Sequence, residues 1–357
     1  MTPTARPKAL VTAPFRGYGL EKLQSMADVV LDPWISGSHL RMYNADQLAE
    51  RVRAEGCNIV ICEADICAGP LFEAPLIAVG STRGDPTNVT IADATAAGVP
   101  VLRAPGRNAD GVAELAIGLI IASTRRIIPA DRDVREMQVF RDGTIPYQRF
   151  RAWQIAGKRA GLIAYGAVAK ALAWRLKGLG LEVIAYDPYS PEARSSLDEV
   201  IETSDIISLH APLTPETDQM IGAAEIERMK DGVVLINTAR ARLHDMDALV
   251  AALRTGKVAA AGLDHFEGEQ LPEGHPLCSM DNVVLAPHIG GATYDTEANH
   301  SRLIADDLAL LLAGAQPRNC VNPEVLRARS QDGAGLSAPG PDGAASGPSG
   351  SGFGEGD

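Results

Sequence analysis

Gly161-Leu-Ile-Ala-Tyr-Gly-Ala-Val-Ala-Lys170 is the stretch whose reading decides the fold. Its apolar first half reads as the end of a strand, and its second half opens a helix. Asp187 follows at the end of the next strand, about twenty residues on. Strand, glycine turn, helix and later acid together form the layout of a dinucleotide fingerprint. A pyrophosphate would rest on the helix N-terminus, where free N–H groups and the helix dipole favour anions. Asp187 would accept hydrogen bonds from the ribose hydroxyls of NAD and would repel a 2′-phosphate. The three glycine positions read Ala164, Gly166 and Ala169. The middle one lets backbone approach the pyrophosphate, and alanine is an accepted third residue. Alanine at the first place sets a Cβ into a tight turn. A strand-to-helix turn without a ligand is the other reading of this stretch.

Outward from it, three further groups of residues sit just after strands, where the ligand crevice of a parallel sheet lies. The first is Asn237-Thr-Ala-Arg240, after the strand at 233–236. The planar fork of Arg240 suits a carboxylate and the carbonyl beside it. The second is Asp264-His-Phe-Glu-Gly-Glu269, and the third is Pro287-His-Ile-Gly-Gly-Ala-Thr293. His288 is placed to pass a proton to and from a substrate oxygen near neutral pH. A carboxylate such as Glu269 would orient its ring and favour the imidazolium. Each residue read singly is an ordinary surface or structural side chain. Arginine, glutamate and histidine at three strand ends are harder to dismiss together.

Strands alternate with helices along the chain, which implies parallel sheets with helices on both faces. Strands are expected at residues 8–12, 58–62 and 76–79, with an amphipathic helix at 44–54. A second unit is expected to hold strands at 160–163, 182–186, 206–209, 233–236, 260–263 and 283–285. Between the two, Asn108 is expected to cap a helix over 109–126, with Gly111 as its weak point. A helix is expected at 294–312, and residues 321–325 should close the fold. Residues 129–153, rich in arginine and aromatics, read either as an arm packing on a second subunit or as a surface excursion. From residue 331 to 357 the chain is mostly Gly, Ser, Pro and Ala, which reads as a disordered tail.

A net charge of −12 argues against a nucleic-acid surface, which needs a basic patch. The apolar run 115–122 is too short to span a bilayer. The first eight residues are polar and broken by prolines, unlike a signal peptide. The five cysteines are odd in number and lack metal-ligand spacing, so reduced thiols in the cytoplasm and no bound metal are expected.

The chain resembles the D-isomer-specific 2-hydroxyacid dehydrogenases, which include D-3-phosphoglycerate dehydrogenase. The resemblance runs over about residues 8–325. Its motifs are Pro105-Gly-Arg-Asn-Ala-Asp-Gly-Val-Ala-Glu114, Tyr186-Asp-Pro, His210-Ala-Pro-Leu-Thr, Asn237-Thr-Ala-Arg, Leu263-Asp-x-Phe-Glu-x-Glu and Pro287-His-Ile-Gly-Gly-Ala-Thr. It implies two Rossmann-like, flavodoxin-like doubly wound α/β domains. The NAD-binding domain, residues 105–292, would be inserted in a substrate domain made of 1–104 and 293–328. It also implies Arg240, Glu269 and His288 as the catalytic set and Asp187 as the ribose ligand. Gly166, Ala167, Val168, Ala211, Thr238, Ala239, Asp264 and Gly290 would line the cofactor. The substrate loop would be Gly80-Ser-Thr-Arg-Gly-Asp85, with Arg83 and Gly84 at the substrate carboxylate. The implied reaction is hydride transfer between NAD and a small anionic 2-hydroxy or 2-oxo acid, in a homodimer.

This sequence departs from the family pattern at Ala164, at Ala241 after the arginine, and at Arg83, Asp85 and Thr90 of the substrate loop. Arg83 and Arg107 would add charge for a phosphate or second acid group, and read as readily as surface arginines. Rival readings remain: a dehydrogenase of phosphite or a phosphorylated sugar acid, a non-catalytic NAD-sensing protein on the same fold, and a degenerate family member with weak cofactor binding.

Overall fold

The computed structural model describes residues 6–36 and 40–331, which form two compact units. The first comprises residues up to Pro105 and from Glu297 onward, and the second runs from Gly106 to Thr296. The second crossing falls inside the helix Tyr294–Leu312 rather than ahead of it.

The first unit holds five parallel strands: β1 (Lys8–Val11), β2 (Asp28–Leu31), β3 (Ile59–Cys62), β4 (Ala78–Ser81) and β5 (Val101–Leu102). Their order is β2-β1-β3-β4-β5. The sheet is buried on both faces because successive side chains point opposite ways. Val60 and Cys62 join one cluster with Leu48, Val52 and Val79. Ile59 and Ile61 join the other, with Leu23, Ile304 and Leu308. Ile304 and Leu308 lie on the helix Tyr294–Leu312, so a late segment completes an early domain. Asn44 caps the helix Ala45–Glu55 in a reciprocal box with Gln47.

Several expected boundaries move. β4 lies two residues later than expected, because Ile77 still pairs outside the ladder, to Asn58. β2 and β5 carried no clear signal, one half-exposed and the other two residues long. The chain stays helical over Glu324–Gln331, past the expected close of the fold. The remainder of the expected tail, 332–357, lies outside the described residues.

The second unit has six parallel strands: β6 (Arg159–Ile163), β7 (Glu182–Tyr186), β8 (Ile206–Leu209), β9 (Val233–Asn237), β10 (Val258–Leu263) and β11 (Val283–Leu285). The order is β11-β10-β9-β8-β6-β7. The winding direction reverses between β6 and β8, and ligands of such sheets bind outside the strand ends at that point. The helix Ala109–Thr124 is shorter than expected, and Asn108 makes no side-chain cap. Gly111 has a packing reason: a Cβ there would stand 3.0 Å from the Gly290 carbonyl oxygen. Residues 129–153 include the end of the helix Ile127–Arg135 and all of Pro146–Arg149. Buried Asp133 anchors the segment through Arg141 and Arg149, each at 3.0 Å.

Candidate active site

The fingerprint turn forms at the C-terminal end of β6. Ala164 adopts φ +68, and its N–H donates to the Tyr186 carbonyl at 2.8 Å. The tight turn is therefore made despite the missing glycine, at the cost of left-handed backbone. Gly166 precedes the helix Ala167–Gly178, and a Cβ there would meet nothing of the protein within 4 Å. That first turn, which holds Ala167 and Val168, carries no acidic residue. Its N–H groups face an open, anion-ready cradle. Asp187 closes the turn from β7, accepting from the Tyr165 N–H at 2.7 Å and the Tyr189 N–H at 2.8 Å.

Polar atoms beside the neighbouring strands await a partner. Thr238 Oγ1, after β9, and His210 Nε2, after β8, are buried without one among the described residues. Burial pushes the His210 pKa down to about 4, so it stands neutral. Ala211 follows, also buried. The open cradle, the pinned acid and these orphaned atoms fit a dinucleotide laid along the strand ends.

Asn237 shapes the loop that presents Arg240. Its Nδ2 donates to the Arg240 carbonyl at 2.7 Å, and its Oδ1 accepts from the Ala239 N–H at 3.0 Å. The same Nδ2 lies 3.0 Å from His244 Nδ1, so that nitrogen accepts. Burial lowers the His244 pKa to about 4, keeping the ring neutral. The Arg240 side chain is left exposed at the end of the loop.

His288 and Glu269 meet. His288 Nδ1 lies 2.8 Å from Glu269 Oε2, and both residues hold left-handed backbone, φ +57 and +63. Backbone of this kind persists where the surroundings over-determine it. For His288 the surrounding group is Asp264, buried at 1% exposure. Its two carboxylate oxygens accept the Ile289 and Gly290 N–H groups, each at 2.8 Å. Asp264 thus fixes the chain just after His288. Gly290 is needed for that approach, since a Cβ would stand 3.0 Å from Asp264 Oδ2.

Sequence reasoning missed Asn237, His244 and His265. The His265 ring contacts that of His288 and feels the charge of Arg240, so the three expected catalytic residues belong to one electrostatic neighbourhood. A cleft of about 600 Å³ at the opposite end of the sheet, lined by Arg151, Trp153, Asp205 and Asn282, holds none of them.

The substrate-loop residues lie in the first unit. Arg83 is tied down, its Nε donating to the Glu63 carbonyl at 2.6 Å and its Nη1 to Thr87 Oγ1 at 3.1 Å. Thr82 Oγ1 is buried without a partner among the described residues. Among the described residues no group of three His, Cys, Asp or Glu is gathered as for a metal, and no helix is long and apolar enough to cross a membrane.

Residues 117–290 match the D-isomer specific 2-hydroxyacid dehydrogenase NAD binding domain. The chain is 37% identical over 335 residues to a glyoxylate reductase of Thermofilum pendens, spanning 91% of this chain and 97% of that one. It belongs to the D-isomer specific 2-hydroxyacid dehydrogenase family. It is also 39% identical over 243 residues to a D-3-phosphoglycerate dehydrogenase of Archaeoglobus fulgidus, covering 66% of this chain and 45% of that one. A D-isomer specific 2-hydroxyacid dehydrogenase from Lactobacillus delbrueckii ssp. bulgaricus, solved as its NAD complexed form, superposes with TM-score 0.73 at 25% identity, covering 88% and 100% of the two chains. This 2-hydroxyacid dehydrogenase is thus an oxidoreductase acting on a CH–OH group, with NAD as its cofactor.

Proposed function

We propose that this dehydrogenase interconverts a small, unphosphorylated 2-oxo acid of the glyoxylate class and its 2-hydroxy acid. The observation that carries the reading is the His288–Glu269 pair at 2.8 Å, beside Arg240 on the next strand end. NADH, when bound, supplies the hydride. Arg240 holds the substrate carboxylate and polarises the neighbouring carbonyl through its planar fork. His288 gives the proton on Nε2 to the carbonyl oxygen in reduction, and takes one back in oxidation. Glu269 holds Nδ1, so the ring's positive charge has a partner.

The relatives support the small substrate. The chain spans nearly the whole of a glyoxylate reductase but under half of the phosphoglycerate enzyme it matches. Arg83 has its guanidinium engaged by Glu63 and Thr87, which disfavours it as a phosphate ligand. The formed acid–base pair favours an enzyme over a cofactor-sensing protein. We also infer a cytoplasmic homodimer. The cysteines are free thiols. Val134, Met137, Phe140, Tyr147 and Trp153 are exposed within one stretch of sequence, which supports this segment as the subunit contact.

The deciding experiment is a screen of glyoxylate, other 2-oxo acids, phosphorylated hydroxy acids and phosphite, followed by NADH absorbance, with the His288→Ala variant alongside. Glyoxylate-class turnover that falls by about 10²–10⁴-fold in the variant is expected. Turnover of phosphorylated acids alone, or a variant as fast as the parent, refutes the reading.

A further inference from the structure

Beside His288 stands a second imidazole that the acid–base pair does not use. His265 follows β10, and its ring centroid lies 3.9 Å from that of His288, with the planes at 65°. Edge-to-face aromatic pairs usually sit ~4.5–7 Å apart. These rings are in direct contact, so neither turns without displacing the other. His265 is 7% exposed, and its Nδ1 lies 2.9 Å from the Asp264 carbonyl oxygen. A carbonyl only accepts, so the proton sits on Nδ1 and the ring is anchored from behind. Burial, helped by the charges of His288 and Arg240, pushes the His265 pKa down to about 4.

His288 needs such a wall. Its side chain is 49% exposed, and Glu269, which holds Nδ1, is 66% exposed. One hydrogen bond to an exposed carboxylate fixes a distance but leaves the ring free to swivel about it. A proton donor has to aim as well as reach. Asp264 serves both imidazoles. Its carbonyl anchors His265, and its carboxylate pins the backbone after His288.

We propose that His265 is a positioning residue for His288: an anchored aromatic wall that sets the plane of the imidazole beside it. This rests on the reading of His288 as the proton donor. An aliphatic residue in its place would be neutral but would offer no flat face, and a lysine would offer charge without a wall.

The test uses the full chain with His265→Ala, His265→Leu, His265→Phe and His288→Ala, measured by steady-state glyoxylate reduction and by NADH calorimetry. His265→Ala and His265→Leu are expected to lower kcat by about 10- to 100-fold, with the glyoxylate KM and NADH affinity changed by less than about threefold. His265→Phe should restore kcat to within about threefold of the parent, because it keeps a ring where the wall stood. A generally damaged fold would move NADH affinity as well and would not be rescued. Should His265→Ala fail to fold, the Leu and Phe variants decide. Parent-like kcat in His265→Leu, or His265→Phe as slow as His265→Leu, overturns the proposal. If His288→Ala turns over normally, the acid–base reading falls and takes this one with it. If His288→Ala is inactive while His265→Leu is parent-like, only the wall is refuted.

Discussion

Ala164→Gly measures what the fingerprint gives up by lacking its first glycine. Ala164 sits at φ +68, where an L-residue costs ~1–2 kcal/mol that glycine avoids. Two terms oppose the gain. Glycine costs ~0.5–1 kcal/mol more to order. The alanine methyl, half-buried against the cluster of Ile163 and Val200, contributes ~0.4 kcal/mol, half of a buried methylene. The net lies between about −0.4 and +1 kcal/mol, which for a unit of this size moves Tm by no more than ~4 °C. Cofactor affinity should barely respond. The Ala164 N–H already reaches Tyr186, Gly166 is open, and the methyl packs into the core. Thermal melts and NADH calorimetry on parent and variant give both readouts. A drop in Tm of more than a few degrees shows that the left-handed turn is not what Ala164 adopts. NADH binding tightened by more than about tenfold shows that the alanine does distort the cradle, and the account of the turn fails.

Three further outcomes follow from the same structure. Glu269→Gln keeps a hydrogen-bonding side chain but removes the charge opposite His288, so kcat should fall by about 10- to 100-fold with NADH affinity unchanged; a parent-like kcat would remove Glu269 from the reaction. His210 and His244 are held neutral with pKa values of about 4, so between there and their ordinary 6.5 the unfolded chain binds protons that the native chain does not. Stability is then complete above pH 6.5 and is lost as pH falls toward 4, by up to ~1.4 kcal/mol per pH unit for each ring; equal Tm values at about pH 5 and pH 7 would refute this. Gly19→Ala would place a Cβ 2.2 Å from the Ser301 backbone and should destabilise the first unit by ~3 kcal/mol or more, whereas Gly118→Ala, with open space around it, should be neutral or slightly stabilising; equal denaturation midpoints for the two variants would sink the packing argument.

The fold was legible where one interaction dominated. β8, with all four residues buried, reads as a fully buried parallel strand. The helix Ala45–Glu55 announces itself through Asn44 and Gln47. β2 was not legible, because a half-exposed edge strand lacks both the apolar run and the alternation that mark a strand. The Asn108 cap failed for a related reason. Its backbone, at φ −107 and ψ 8, is not the extended conformation a capping side chain needs. Residue type proposes a cap, but only the chain's approach to the helix decides it.

At the site, the residues proposed to act on substrate were readable, and most of what positions them was not. Arg240, Glu269 and His288 stand out only as a set, because the crevice of a parallel sheet lies just past its strand ends. Asn237 carries no charge, and Asp264 and His265, though titratable and just past β10, do not declare in the sequence what they hold. Their work is done by an amide clamping a loop, a carboxylate on two N–H groups, and a ring against a ring. These depend on distances between segments far apart in sequence. Strain is equally silent. Of the non-glycine residues with positive φ, Ala164, Glu269 and His288 belong to the proposed site, whereas Arg126, Met137, Asp142 and Gln219 do not. A residue kept against its own preference at the turn, the carboxylate and the imidazole is consistent with a surrounding structure built to hold these groups in position. The order of dependence therefore runs from Asp264 outward: with its carboxylate gone, the His288 loop loses two anchors before any group of the proposed catalytic set is altered.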